Sequence, residues 1–239
     1  MTPADADHEA RARAELAAWR GAMLAEPSAF ARAAKGLQTQ VNRMIPEKIH
    51  AAVTKVIEQM TRGILAGSDF VSGPPLAAGS LREREARVRK AIDGYRNVAT
   101  LEGGATGAGG FLLAAADFPA LIAIKIKLLF EIAGLYGHDM RDWRERLYVL
   151  SIFQLAFSSA DHRRDVLLAM AEGRQPASPE DFDWRRFQQE YRDYIDLAKL
   201  AQLLPVVGAP IGAIVNFRLV EQLGETAMNA YRMRWFEGR

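Results

Sequence analysis

The sequence predicts an all-α protein built as a single compact multi-helix domain, and three observations carry that prediction. Apolar residues recur at helical intervals of three and four, while β-branched residues rarely alternate with polar ones. Apolar residues make up 49% of the 239 and charged residues 25%, the balance of a folded chain long enough to bury a sizeable core. Two apolar segments near the centre are punctuated by glycine and proline, and small residues of this kind let helices approach closely.

Taken in order, residues 5–25 read as an exposed Ala/Arg/Glu-rich helix carrying Leu16, Trp19 and Leu24, closed by Pro27. This helix belongs to an N-terminal extension over 1–35, ahead of a helical domain over 36–239. Pro46 suits the first turn of a second helix with Ile49, Val53, Ile57, Met60 and Ile64 on one face. Residues 68–80, with Gly73-Pro74-Pro75, read as a loop. A charged helix follows over 81–102, its Arg and Glu spaced for ion pairing along a solvated face. Apolar residues dominate 111–136. A helix over 142–160 is apolar almost all round (Leu147, Leu150, Phe153, Phe157) and is expected at the centre. A second loop over 173–183 precedes two last helices, about 183–204 and 210–236, separated by Pro205 and Pro210.

Composition removes several function classes. Lys and Arg total 31 against 29 Asp and Glu, which argues against a dedicated nucleic-acid binder. The absence of cysteine excludes disulfides, thiolate nucleophiles and Cys-based zinc sites. The first twenty residues are charged and contain no signal-like apolar run, so a cytoplasmic location is expected.

The first punctuated segment is Gly103-Gly104-Ala105-Thr106-Gly107-Ala108-Gly109-Gly110, followed by an apolar run and Asp117-Phe118-Pro119. It lacks the Gly-Lys-Ser/Thr ending of a phosphate loop and the spacing of a dinucleotide fingerprint. The second runs Leu203-Leu204-Pro205-Val206-Val207-Gly208-Ala209-Pro210-Ile211-Gly212-Ala213-Ile214-Val215-Asn216 and reads as a turn entering a new helix. Neither makes a membrane span. The first region contains Asp117, Lys125, Lys127 and Glu131, each costing about 2.5–3.5 kcal/mol at a bilayer centre. The second is interrupted by two prolines. A packed helical core, an apolar pocket for a lipid-like ligand and shallow insertion into a membrane surface all fit the pair.

The runs Glu102-Gly-Gly-Ala-Thr-Gly-Ala-Gly-Gly, Ala116-Asp-Phe-Pro-Ala-Leu, Leu129-Phe-Glu-Ile-Ala-Gly-Leu-Tyr-Gly and Pro205-Val-Val-Gly-Ala-Pro-Ile-Gly-Ala resemble the EcsC family. So do Ile45-Pro46-Glu47-Lys48 and Met228-Asn-Ala-Tyr-Arg-Met-Arg-Trp-Phe, so that the likeness spans about 36–236. The family takes its name from a bacterial operon that also encodes an ABC transporter. The resemblance implies a cytoplasmic or membrane-associated role in transport or membrane homeostasis, and supplies no catalytic residues.

Polar residues in apolar company are the candidate site. Lys127 and Glu131 stand one turn apart, with His138 two turns further on. Their order is the weaker one for a helical ion pair. Asp117 suits the cap of the helix that follows, and Asp139 the start of the next. Candidate ligand-binding residues are Glu102, Gly107, Asp117, Lys127, Glu131, Pro205, Gly208 and Asn216. The alternative is a metal-dependent enzyme or metal-binding protein using Asp117, Glu131 and His138, since carboxylate and imidazole suit divalent cations. No cofactor is indicated. The C-terminal run Tyr231-Arg232-Met233-Arg234-Trp235-Phe236 suits either a membrane interface or a terminal helix docking on the core. The expected function is a non-enzymatic cytoplasmic protein, peripheral at the inner face of the cell membrane. Its expected partners are membrane lipid, an apolar small molecule or an ABC transporter.

Overall fold

The computed structural model describes residues 2–26, 62–64, 73–107, 118–174, 176, 178–187, 189–190 and 208–238. Among them there are helices and no strand, the class the periodicity predicts. The helix read from Pro46 lies outside the described residues except for 62–64, and the helix over 183–204 is described only as far as residue 190.

Helix α1 runs Pro3–Leu24 and opens with a capping box. The Thr2 hydroxyl accepts from the Asp5 backbone N–H at 3.2 Å, and the Asp5 carboxylate accepts from the Thr2 N–H at 3.0 Å. Helix α2, Leu81–Gly107, starts with the same device built from Ser80 and Glu83. It does not stop at residue 102: the glycines of 103–107 continue it.

Helix α3 is Phe118–Tyr136, and Asp117 lies outside the described residues. Its end is a Schellman turn. Gly137 takes φ +97°, its N–H donates to the Gly134 carbonyl, and the His138 N–H donates to the Ala133 carbonyl. The chain therefore leaves the helical path before His138, so His138 does not continue the helical face of Lys127 and Glu131. Helix α4, Trp143–Phe157, is capped by Asp142, not by Asp139 three residues earlier. Ser159 caps helix α5, Ala160–Ala171. Helix α6 spans Gly208–Glu237 and includes Pro210.

The long helices α2 and α6 form an antiparallel pair. Arg96 meets Glu221 at 3.1 Å, Ile92 faces Gly224, and Glu85 meets Arg232. A Cβ at Gly224 would lie 2.6 Å from the Ile92 side chain, so the glycine sets how closely the helices approach. With this polarity, residues 103–107 and the first turns of α6 lie at the same end of the pair. Helix α3 packs beside both, and α4 fills the centre with Leu147, Leu150, Ile152, Phe153 and Phe157 buried. Helix α1 lies across α2, α5 and α6 with Ala12 and Leu16 buried. Tyr231 and Met233 are buried and Trp235 and Phe236 pack on the core, so the C-terminal run docks inward. Among the described residues no helix is long and apolar enough to cross a membrane.

Candidate functional site

Among the described residues a groove runs between α2 and α3, closed at one end by the loop at 73–76. Arg84 builds that end. Its guanidinium, 5% exposed, donates to the carbonyls of Leu76 (3.1 Å), Gly79 (3.2 Å) and Leu135 (2.9 Å). It thereby ties the loop to the carbonyl end of α3, where a cation is favoured. Burial, and then the charge of Arg87, push the Arg84 guanidinium below its ordinary range. The Leu76 N–H completes the tie by donating to the Gly134 carbonyl at 2.8 Å.

The groove has two lobes that share Arg87, Glu131 and Leu135. A lobe of about 310 Å³ lies under the loop, against Phe130, Gly134 and His138. A lobe of about 520 Å³ runs along Lys90, Ala91, Gly94, Tyr95 and Val98. Both volumes fall in the range of small-molecule sites. Burial, and then the neighbouring Glu131 carboxylate, push the Tyr95 phenol up to about 12.

The residues singled out from sequence are distributed unevenly. Glu131 lines both lobes and His138 lines the lobe under the loop. Lys127 is exposed on α3 and lines neither. Glu102 and Gly107 belong to α2, and Gly208 and Asn216 to α6. Asp117 and Pro205 lie outside the described residues. His138 turns its Nδ1 toward Glu145 at 3.5 Å and stacks on Tyr231 at 5.1 Å. Glu145 is also held by both terminal nitrogens of Arg234, at 2.5 and 2.7 Å. Burial pushes the Glu145 carboxyl up, but hydrogen bonds from His138 and Arg234 outweigh it and hold it at about 2. Among the described residues no three His, Asp or Glu side chains converge as metal ligands.

Among the described residues a buried polar cluster is centred on the charged helix α2. Glu85 is fully buried and pairs with Arg232 through two bonds of 2.6 and 2.7 Å. The Tyr136 hydroxyl donates to Glu85 at 3.2 Å, His8 reaches it from α1 at 3.0 Å, and Glu15 pairs with Arg232 at 2.9 Å. Burial pushes the Glu85 carboxyl up, and the hydrogen bond and charge of Arg232 reverse that to a net lowering. Tyr136 is raised well above its ordinary value by burial and by the Glu85 charge. The sequence carried a signal for this. Leu81, Glu85, Val88 and Ile92 share one helical stripe, so Glu85 occupies a core position.

The EcsC protein family model matches residues 10–236, nearly the whole chain and most of α1. The chain belongs to the EcsC family. It is 46% identical over 221 residues to the protein named EcsC of Bacillus subtilis (strain 168), covering 92% of this chain and 93% of that one. It is 28% identical over 202 residues to the uncharacterized protein YdbA of the same organism, covering 82% and 68%. No solved structure matches. The EcsC-typical run Leu129-Phe130-Glu131-Ile132-Ala133-Gly134-Leu135-Tyr136-Gly137 forms one wall of the groove and the Schellman turn that ends it.

Proposed function

We propose that this EcsC-family chain is a non-enzymatic binding protein for an apolar, lipid-like ligand, working beside a membrane and its transport machinery. The observation that supports this most is the α2–α3 groove, whose larger lobe is lined mainly by apolar surface and carries cationic groups at its edge. Val98, 46% exposed, offers an uncovered apolar side chain within it. Such a combination suits a molecule with an apolar body and a polar end, and a protein that meets its ligand at a membrane surface.

The test is organic extraction of the purified protein with mass spectrometry of the extract, alongside co-sedimentation with vesicles. Stoichiometric lipid in the extract, or partition of the protein with vesicles, is expected. Protein that carries no apolar molecule and stays in the supernatant contradicts the proposal.

A further inference from the structure

We propose that the groove selects a single-chain anionic amphiphile, with the acid head held by Arg87 and Lys90 and the chain laid over Ala91, Gly94, Val98 and Leu135. This rests on the reading that the groove takes a lipid-like ligand, and it adds the ligand's charge and orientation.

The charge follows from which cations are already occupied. Along α2, Arg82 pairs with Asp5 at 3.0 Å, Arg89 with Glu15 at 3.9 Å, and Arg96 with Glu221 and Asp93. Arg84 is taken up by three carbonyls. Arg87 and Lys90, three residues apart and both on the groove, have no carboxylate within 4 Å among the described residues. One acid, Glu131, shares the groove, so the lining carries two cations against one carboxylate. A carboxylate or phosphate entering here meets two cations on one side of α2.

The orientation follows from two glycines. Gly94 and Gly134 sit within helices and line the two lobes, and a Cβ at either would meet nothing within 4 Å. Glycine inside a helix costs about 1 kcal/mol relative to alanine. Gly224 has a packing reason, the 2.6 Å approach of Ile92, whereas at Gly94 and Gly134 the space is open. The missing side chains keep a path along α2 and α3 clear. Beyond Lys90 that path is bordered by Ala91, Gly94 and Val98, which suits a chain and not a second head group.

The experiment uses the full chain and three amphiphiles with the same twelve-carbon chain, each below its micellar concentration: dodecanoate, a neutral dodecyl glycoside and dodecyltrimethylammonium. Acetate serves as the head group alone, and calorimetric titration is the readout. Dodecanoate is expected to bind at least tenfold tighter than the other two, and acetate not to register. Arg87→Gln with Lys90→Gln should bring dodecanoate down to the neutral ligand's affinity. Gly94→Leu should weaken all three amphiphiles, and Val98→Asp, at an exposed position, does the same should the leucine disturb folding. Equal binding of the three amphiphiles, or a preference for the cationic one, overturns the assigned charge while the lipid-like reading stands. Acetate as tight as dodecanoate overturns the role of the chain. No binding by any amphiphile overturns both readings.

Discussion

At the scale of single residues, Glu85 and Arg232 form a buried pair in which neither can be removed alone without cost. Both are buried, and each depends on the other for its charge to be tolerated. Arg232→Met alone is expected to cost about 3–5 kcal/mol, because the Glu85 carboxylate stays buried without its guanidinium, while Glu85→Gln should cost less, because Arg232 keeps Glu15. Glu85→Leu combined with Arg232→Met should recover most of that loss in urea denaturation. A second residue-scale expectation concerns acid. Glu145 and Glu85 both have folded-state values below the ordinary glutamate range, Glu145 at about 2. A lowered folded value means stability present above the unfolded value near 4.5 and lost as pH falls through the window toward 2. Stability measured from pH 7 downward should therefore hold until about pH 5 and then fall. Glu145→Gln should lower the plateau and shallow the fall. These pairs were only half legible in the sequence. Glu85 stands in register with Leu81 and Val88, which marks it as buried. Its partner lies 147 positions away on another helix, and no local pattern names it.

At the scale of elements, glycine positions separate close packing from open space. Gly224→Val should destabilise by about 1–3 kcal/mol, since the new side chain must displace Ile92 inside the core. Gly94→Ala should instead stabilise by about 0.5–1 kcal/mol, because the methyl group meets nothing and the unfolded chain loses freedom. Melting temperatures of the two variants should move in opposite directions. The existence of α4 and the burial of its Leu147, Phe153 and Phe157 were legible from an apolar pattern that runs all round the helix. Its start near residue 142 was legible too, but the residue that caps it was not. Asp139 and Asp142 both suit a cap, and the extra residues are used by the Schellman turn at Gly137, which depends on one positive φ. The extension of α2 through residues 103–107 also went unread, because glycine propensity opposes helix there while α6 lies alongside α2.

At the scale of the whole molecule, the groove joins parts that are distant in sequence: the loop at 73–76, one face of α2 and the end of α3. Sequence reasoning reached Glu131 and His138 because polar residues in apolar company stand out. It missed Arg87, Lys90 and Gly94, whose significance comes only from what packs beside α2 and what leaves them uncovered. A second concavity of about 490 Å³ lies between α1 and α6, lined by Leu16, Met233 and Phe236 with Arg13 and Arg20. It supplies a built-in competitor for any apolar ligand. The decisive measurement is photolabelling of the full chain with a diazirine-bearing dodecanoate, followed by peptide mapping. The account predicts label on residues 87–98 and 131–135, suppressed by excess dodecanoate and lost in Gly94→Leu. Label confined to α1 and the end of α6, or spread without saturation, would contradict it.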